Sequence, residues 1–431
     1  MLDIKFLREH ADLVQQKSLE KGCCVDVSLV LTLDQTYRNL LSQVEALRRE
    51  RNELAQKAPA GKPDPAILAR GREIKNELSA LETTLSETEV ALTTELKKIP
   101  NMPADDVPVG LSEDENVVVY ERGSKPTFSF PVKNHWQIGE GRGWIDKERA
   151  TKVTGTRFAY LKGDLVLLEW ALMRFAMDQL TNEEVLKTLI EKHQLSVSNK
   201  PFVPVLPPLM IRTEAYDAMD RLEPREDRYK IEGEDLWLQG SAEHVLGSMH
   251  MGELFDEAQM PIRYVGFATS FRKEAGSYGK DMEGIIRMHQ FNKMEMESFS
   301  VGDTGQDEHL LMVALQEHLL EQLELPYRKL LKCTFDIGKP NARGVDMDVW
   351  LPGQDKYRET HTADYMTDYQ ARRLNTRVRR VDGSIEYIHT NDATVCSQRP
   401  LIGIIENNQQ ADGTVVVPRV LRPYLGGREV L

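Results

Sequence analysis

Two runs of apolar side chains, spaced alternately four and three residues apart, fix the architecture of the first hundred residues. Leu33, Tyr37, Leu40, Val44, Leu47 and Leu54 lie on one seam, with Arg51 at its one polar place. Ile67, Gly71, Ile74, Leu78, Leu81, Leu85, Thr88 and Leu92 lie on the second. Such spacing makes a narrow apolar stripe that a single helix cannot bury alone. The prolines and glycine of APAGKPDP, residues 58–65, cannot continue a helix. The pattern predicts an antiparallel helical hairpin, with arms of roughly 40–50 Å at 1.5 Å per residue. A shorter helical start runs from Ile4 to Lys21. Around the turn, between Arg48 and Lys75, eight Lys or Arg face four Asp or Glu. The cations that define this tip are Arg48, Arg49, Arg51, Arg70, Arg72 and Lys75. Both a solvated coiled-coil surface and an end that seeks a phosphate backbone fit that excess.

The rest of the composition sets limits. A net charge of −13 confines any nucleic-acid contact to a local patch. The start, MLDIKFLREH, mixes charged and apolar residues and lacks the apolar run of a signal peptide. The most apolar run, Leu165 to Met173, contains Glu169 and is too short to span a bilayer, so no membrane association is expected. Cys23, Cys24, Cys333 and Cys396 show no metal-ligand spacing, which predicts free thiols, a cytoplasmic location and no structural zinc. The proline-rich stretch IPNMPADDVPVG, 99–110, reads as a linker, giving domains of 1–105 and 106–431. Helices are expected from Leu165 to Leu180 and from Asn182 to His193, and an extended run from Phe202 to Ile211.

The chemistry concentrates between Arg263 and Phe299. A first β-run, Tyr264 to Phe271, ends in Arg272-Lys273-Glu274, followed by Gly276, Gly279 and Gly284. A second run, Ile285 to Phe299, has period two. Arg287, His289, Phe291, Lys293 and Glu295 share one face; Ile286, Met288, Met294 and Met296 share the other. Arginines suit phosphate oxygens through their planar fork, an aromatic ring suits a base, and a carboxylate suits an ammonium. An exposed, charge-alternating hairpin is the other reading of these residues.

FRKEAGSYGKDMEGIIRMHQFNKMEM closely resembles motif 2 of class II aminoacyl-tRNA synthetases, in the form seen in seryl-tRNA synthetases. SQRPLIGIIENNQQADGTVVVPRVLRPYLGG resembles motif 3, Ser241-Ala242-Glu243 the family's Thr-x-Glu loop, and Phe202 to Ile211 the position of motif 1 at a dimer interface. The resemblance implies an α+β fold, a class II antiparallel sheet flanked by helices, carrying an N-terminal coiled-coil hairpin that grips tRNA. It implies ATP-dependent formation of seryl-adenylate, transfer of serine to tRNA(Ser) or also tRNA(Sec), a homodimer, and Mg²⁺ with ATP. Carried over, Arg272 holds the α-phosphate, Glu274 contacts adenine, Phe291 stacks on it, Arg287 neutralises the triphosphate and Arg399 binds its far end. Lys273, Met288, Thr360 and His361 complete the ATP-binding set, with Glu359 and Thr362 on the metal. Glu243 and Glu295 take the serine, assisted by Ser241, Ala242 and Ala393, with Thr394 next to Ala393. Where most bacterial relatives read Glu-Val-Ser-Ser-Cys-Ser-Asn, this chain has Glu359-Thr360-His361-Thr362-Ala363-Asp364-Tyr365. His244 and His250 invite a metal reading, and Arg372, Arg373, Arg377, Arg379 and Arg380 an RNA patch; ordinary packing and salt bridges are the other readings. Two alternatives are a paralogue that loads an amino acid on a carrier protein and a non-catalytic coiled-coil scaffold.

Overall fold

The computed structural model describes residues 1–57, 65–275 and 283–431. It divides into two compact units, Met1–Met102 and Pro103–Leu431, against the expected division after residue 105. Most of the turn segment 58–65, with Gly276 and Gly279 of the glycine-rich connection, lies outside the described residues.

In the first unit, the expected continuous start is two helices, α1 (Ile4–Glu9) and α2 (Ala11–Glu20). They break at His10, whose φ of −131° and ψ of 37° are not helical. The long helices α3 (Val27–Lys57) and α4 (Pro65–Leu96) pack along the two seams. Val44, Ile74 and Leu78 are buried between them, flanked by Leu47, Leu54, Leu81 and Leu85. Asp34, buried on α3, accepts a 2.7 Å ion pair from Arg8 and a 3.1 Å pair from Arg38, which fastens α1 to the arm. At the far end Arg48 reaches Glu82 at 2.8 Å, and Arg70 reaches Glu50 at 2.8 Å, Glu77 at 3.1 Å and Glu73 at 3.3 Å. Arg49, Arg51, Arg72 and Lys75 are exposed. Two of the six expected tip cations thus hold carboxylates of the hairpin itself, because a 4–3 seam brings the flanking charges of opposite arms side by side.

The second unit is built on an eight-stranded sheet. In chain order its strands are β1 (Val117–Arg122), β2 (Val203–Val205), β3 (Ile262–Phe271), β4 (Gln290–Ser300), β5 (Tyr327–Leu331), β6 (Arg343–Leu351), β7 (Lys356–Thr367) and β8 (His389–Ser397). The spatial order is β1-β5-β6-β7-β8-β4-β3-β2. Every pair is antiparallel except β2 with β3. Helices α5 (Asp164–Leu180), α6 (Ala242–Gly247), α7 (Gly305–Gln322) and α8 (Gln398–Asn407) flank it. The antiparallel sheet with flanking helices implied by the motifs is therefore present.

Strand alternation divides the sheet into two chemistries. Met294, Met296, Val345, Met347, Val349, Ala363, Ala393 and Val395 form one dry layer with apolar residues of α5, α7 and α8. The neighbouring positions Lys293, Glu295, Asp346, Thr362, Asp364, Asp392 and Thr394 turn to the other side. The strand expected from Ile285 begins only at Gln290. Residues 283–289 form turns and bends, so Arg287 does not lie on the strand.

Ile74 is fully buried at the seam. Ile74→Ala should cost about 2–4 kcal/mol of hairpin stability by removing methyl groups from a site that cannot collapse. Hydrogen exchange on the full chain should show faster amides across α3 and α4 with the sheet amides unchanged.

Candidate active site

The side chains facing away from the dry layer line a cavity of about 270 Å³. One part of its wall carries Arg272, Glu274, Arg287, Met288, Phe291, Glu359 and Arg399; another carries Arg221, Glu243, Lys293, Thr362, Asp364 and Thr394.

The first group is held by mutual pairing. Arg272 donates Nε to the Gly240 carbonyl at 2.9 Å and lies 5.3 Å above the Phe291 ring. Arg287 reaches Glu274 at 2.5 Å. Arg399, just after the α8 N-cap Ser397, reaches the Glu359 carboxylate at 3.0 Å. Glu359, half exposed, is held down to about 2, because Arg399 and Lys332 outweigh the desolvation that would raise it. The backbone entering this region is braced by a network absent from the sequence reading. His135 Nδ1 lies 2.9 Å from the buried Glu406 carboxylate, and its Nε2 accepts the Ile285 amide at 3.2 Å. Gly284 has φ +66°, and a Cβ there would stand 1.9 Å from His135 Nε2. Only glycine fits this close approach.

The second group is crowded with ionisable atoms. Ser241 precedes α6 at its N-cap position without a side-chain capping bond, and Leu246 packs over Gly266 of β3, which sets Glu243 over the sheet. The buried guanidinium of Arg221 contacts Glu243 at 3.0 Å and Asp392 at 3.3 Å. Lys293 holds Glu295 at 2.6 Å and donates to Ser241 at 3.3 Å. Against its desolvation, Arg221, His244 and Lys293 keep Glu243 well below the ordinary carboxylate range. Burial pushes Glu295 up to about 7. Burial and neighbouring carboxylates also push Glu297 and Asp392 well up. From the helix side, Gln316 donates to the carbonyls of Thr362 and Thr394, each at 2.8 Å, fixing the strands that carry both threonines.

Several expected positions lie elsewhere. Lys273 is exposed, with its ammonium 5.5 Å over the Tyr229 ring, because it alternates with Arg272 and Glu274. Ala242 packs against Leu246 and Ala268 rather than the cavity. A bulge between Met347 and Asp348 resets the β6–β7 register. After it, Thr362 and Asp364 face the cavity, while His361 turns to the dry layer, its Nε2 3.1 Å from the Val395 carbonyl. Thr360 lines the cavity but donates its hydroxyl to the Met347 carbonyl at 3.1 Å. Ala393 is fully buried in the dry layer, and Thr394 supplies the hydroxyl on the pocket side. Glu295 and Ser241 stand behind Lys293 rather than on the cavity wall. The sequence reading missed Arg221, Asp346, Asp392 and Gln398. The carboxylates had a signal, alternation with apolar neighbours in β6 and β8, whereas Arg221 sits in a loop with none.

His244 and His250 are engaged locally. His244 Nδ1 accepts the Gly240 amide at 3.2 Å, and His250 bridges Glu253 at 3.1 Å and Tyr264 at 3.0 Å. In the basic cluster, Arg372 pairs with Asp368 at 2.7 Å, Arg373 with Asp220 at 3.1 Å, Arg379 with Asp256 at 3.2 Å and Arg380 with Asp303 at 2.6 Å.

The chain and its fold match known families. The tRNA synthetase class II core domain (G, H, P, S and T) matches residues 227–408, and the seryl-tRNA synthetase N-terminal domain matches residues 1–103. A serine–tRNA ligase of Deinococcus radiodurans is 39% identical over 100% of this chain and 99% of its own. The seryl-tRNA synthetase of Pyrococcus horikoshii, solved with ATP, superposes with a TM-score of 0.89 at 36% identity, covering 100% of this chain and 99% of that one. A cytoplasmic serine–tRNA ligase of Naegleria fowleri, solved with AMP, gives a TM-score of 0.84 at 26% identity over 100% and 98%. The fold is that of a class II aminoacyl-tRNA synthetase. Within that class, the chain belongs to the seryl-tRNA synthetase family.

Gly284→Ala should displace His135 and the Ile285 turn and lower ATP-dependent activity by roughly tenfold or more, since small misplacements in a positioned site are costly. Turnover on a folded, full-length variant checks this. Glu297 gives a pH test. Its folded-state value lies above the unfolded carboxylate value of about 4.3, so its unfavourable contribution grows as pH rises through that interval. Glu297→Gln should therefore raise the melting temperature more near pH 8 than near pH 5. A gap that does not widen with pH would contradict an uncompensated carboxyl.

Proposed function

We propose that the chain is a serine–tRNA ligase that first joins serine to the α-phosphate of ATP and then passes the seryl group to the 3′-terminal ribose of tRNA(Ser), and of tRNA(Sec) where present. The observation that carries this reading is the convergence of Arg272, Glu274, Arg287, Phe291 and Arg399 on one cavity. The serine carboxylate attacks the α-phosphorus, and pyrophosphate leaves with the broken P–O bond. No protein nucleophile is required. The barrier falls through positioning and charge stabilisation. Arg272 neutralises charge growing on the α-phosphate, Arg287 and Arg399 bind the outer phosphates, Phe291 stacks on adenine and Glu274 accepts from it. Arg287 contacts Glu274 and Arg399 contacts Glu359, so phosphate binding at these two exchanges one anionic partner for another.

Mg²⁺ fits this wall. Thr362 and Asp346 are cross-strand neighbours that place buried oxygens beside the ionised Glu359, with the Lys332 ammonium 3.8 Å from Asp346 Oδ1. Glu359 and Thr362 would hold the metal, which supplies countercharge to the phosphates. Glu243, lining the cavity, takes the serine ammonium, and Glu295 supports it from behind Lys293.

The remaining assignments follow the same reading. Residues 1–105 serve as the tRNA-binding arm and 106–431 as the catalytic domain. Arg49, Arg51, Arg72 and Lys75 meet tRNA phosphates first, and Arg48 and Arg70 join by exchanging their carboxylate partners. Homodimerisation through the motif 1 region is supported by exposed apolar residues there, among them Val203, Leu206 and Met210. No helix among the described residues is long and apolar enough to cross a membrane, and the protein works in the cytoplasm.

The test separates arm from chemistry. Serine-dependent ATP–pyrophosphate exchange is expected, with alanine strongly rejected because it leaves buried polar groups unpaired. Replacing residues 40–85 by a short Gly-Ser turn should leave exchange within roughly a few-fold while tRNA charging falls by orders of magnitude. Full charging by the shortened chain would overturn the assignment of the arm.

A further inference from the structure

The amino-acid part of the pocket, with the layer of strand residues directly behind it, holds more negative charge than its own cations answer. Glu243, Glu295, Glu297, Asp364 and Asp392 are each less than one-tenth exposed. Oxygens of Glu243, Glu295 and Asp392 approach within 4.8 Å of one another. Arg221 engages Glu243 and Asp392, and Lys293 engages Glu295. The nearby Lys332 lies 3.8 Å from Asp346 and 3.9 Å from Asp336 and also acts on Asp364, so one ammonium is shared among three carboxylates. Among the described residues, both oxygens of Glu297 and the Oδ1 atoms of Asp364 and Asp392 have no hydrogen-bond partner. Asp364 lines the cavity directly.

Surplus buried carboxylate is costly unless a ligand brings positive charge. Serine brings one ammonium, which suits Glu243, and a neutral hydroxyl. Its isostere 2,3-diaminopropionate keeps the same carbon chain and reacting carboxylate but carries –NH₃⁺ in place of –OH. That group offers three donors and no acceptor, matching carboxylate oxygens without partners better than a hydroxyl does. A divalent cation fits less well, because Arg221 and Lys293 already stand in contact with all three converging carboxylates and would repel it.

We propose that this pocket also adenylates amino acids bearing an ammonium at Cβ, 2,3-diaminopropionate being the smallest, with Asp364 receiving the β-ammonium. The proposal rests on the ATP-dependent activation described above and uses the same step. The substrate carboxylate forms a bond to the α-phosphorus, the bond from phosphorus to the bridging oxygen breaks, and pyrophosphate departs. The β-ammonium keeps its protons and takes no part in the bond changes.

Pyrophosphate exchange by the full-length protein with ATP, Mg²⁺ and L-serine, L-2,3-diaminopropionate or L-alanine tests this. The kcat/KM for diaminopropionate is expected within about tenfold of that for serine and about a hundredfold above that for alanine. Asp364→Ser should move the diaminopropionate-to-serine ratio about tenfold toward serine, restoring the neutral site that suits a hydroxyl. If that variant fails to fold, the wild-type ratio decides alone. Exchange with serine but none above the alanine level with diaminopropionate would overturn the proposal and leave the ligase reading standing. No exchange with any amino acid would overturn both.

Discussion

Neighbouring side chains of a β-strand point to opposite faces, and everything in the second unit depends on how the central strands use that constraint. β4 alternates Met294 and Met296 with Lys293 and Glu295; β8 alternates Ala393 and Val395 with Asp392 and Thr394. A one-residue slip in either strand would drive carboxylates into the methionine layer and methionines into the cavity. The register is therefore fixed by the cost of burying charge as much as by the gain from burying carbon. Bulges adjust it locally. The one between Met347 and Asp348 sends His361 to the dry side and keeps Glu359, Thr362 and Asp364 on the wet one.

The polar face then needs internal partners. Arg221 lies across two carboxylates, Lys293 holds a third, and Gln316 donates from the helix side to carbonyls of two adjacent strands. Outside the sheet, Glu406 of α8 orients His135, and His135 accepts the amide of Ile285. A helix on the dry side thereby governs the turn that delivers Arg287. This is a packing route from core to site, and Gly284 leaves room for it.

Much of this was legible in the residues. The heptad seams located both hairpin arms, and period two located the charged face of β4. The arginine, glutamate and phenylalanine positions that the motif resemblance selected do converge on one cavity. What escaped has physical causes. A motif match cannot see a bulge, so His361 and Ala393 were carried over to the pocket together with Thr362 and Thr394, and only the two threonines line it. Periodicity cannot see that Ile285 to His289 coil before the strand begins, since their apolar residues are buried either way. Arg221 follows a residue with positive φ, Asp220, in a loop with no period at all. Nor does a count of cations reveal that Arg48 and Arg70 face glutamates on the opposite arm.

The two parts of the cavity solve opposite electrostatic problems. At the nucleotide wall each arginine already has a carboxylate or carbonyl partner, so a phosphate competes with an existing anion and little desolvation remains to be supplied on binding. The side chains are ordered before the ligand arrives, which keeps the reorganisation accompanying charge development small. Behind the wall assigned to the amino acid the fixed cations are outnumbered, and Glu295, Glu297 and Asp392 are pushed toward protonation by burial and by one another. A positively charged ligand group entering there lowers the cost of ionising several carboxylates at once, so its affinity couples to their proton occupancy. In the proposed reading, phosphate recognition is therefore set by exchange among paired groups, and amino-acid recognition by the unpaired remainder. In that reading, substitutions among those carboxylates should alter which side chain the pocket prefers without altering how it holds ATP.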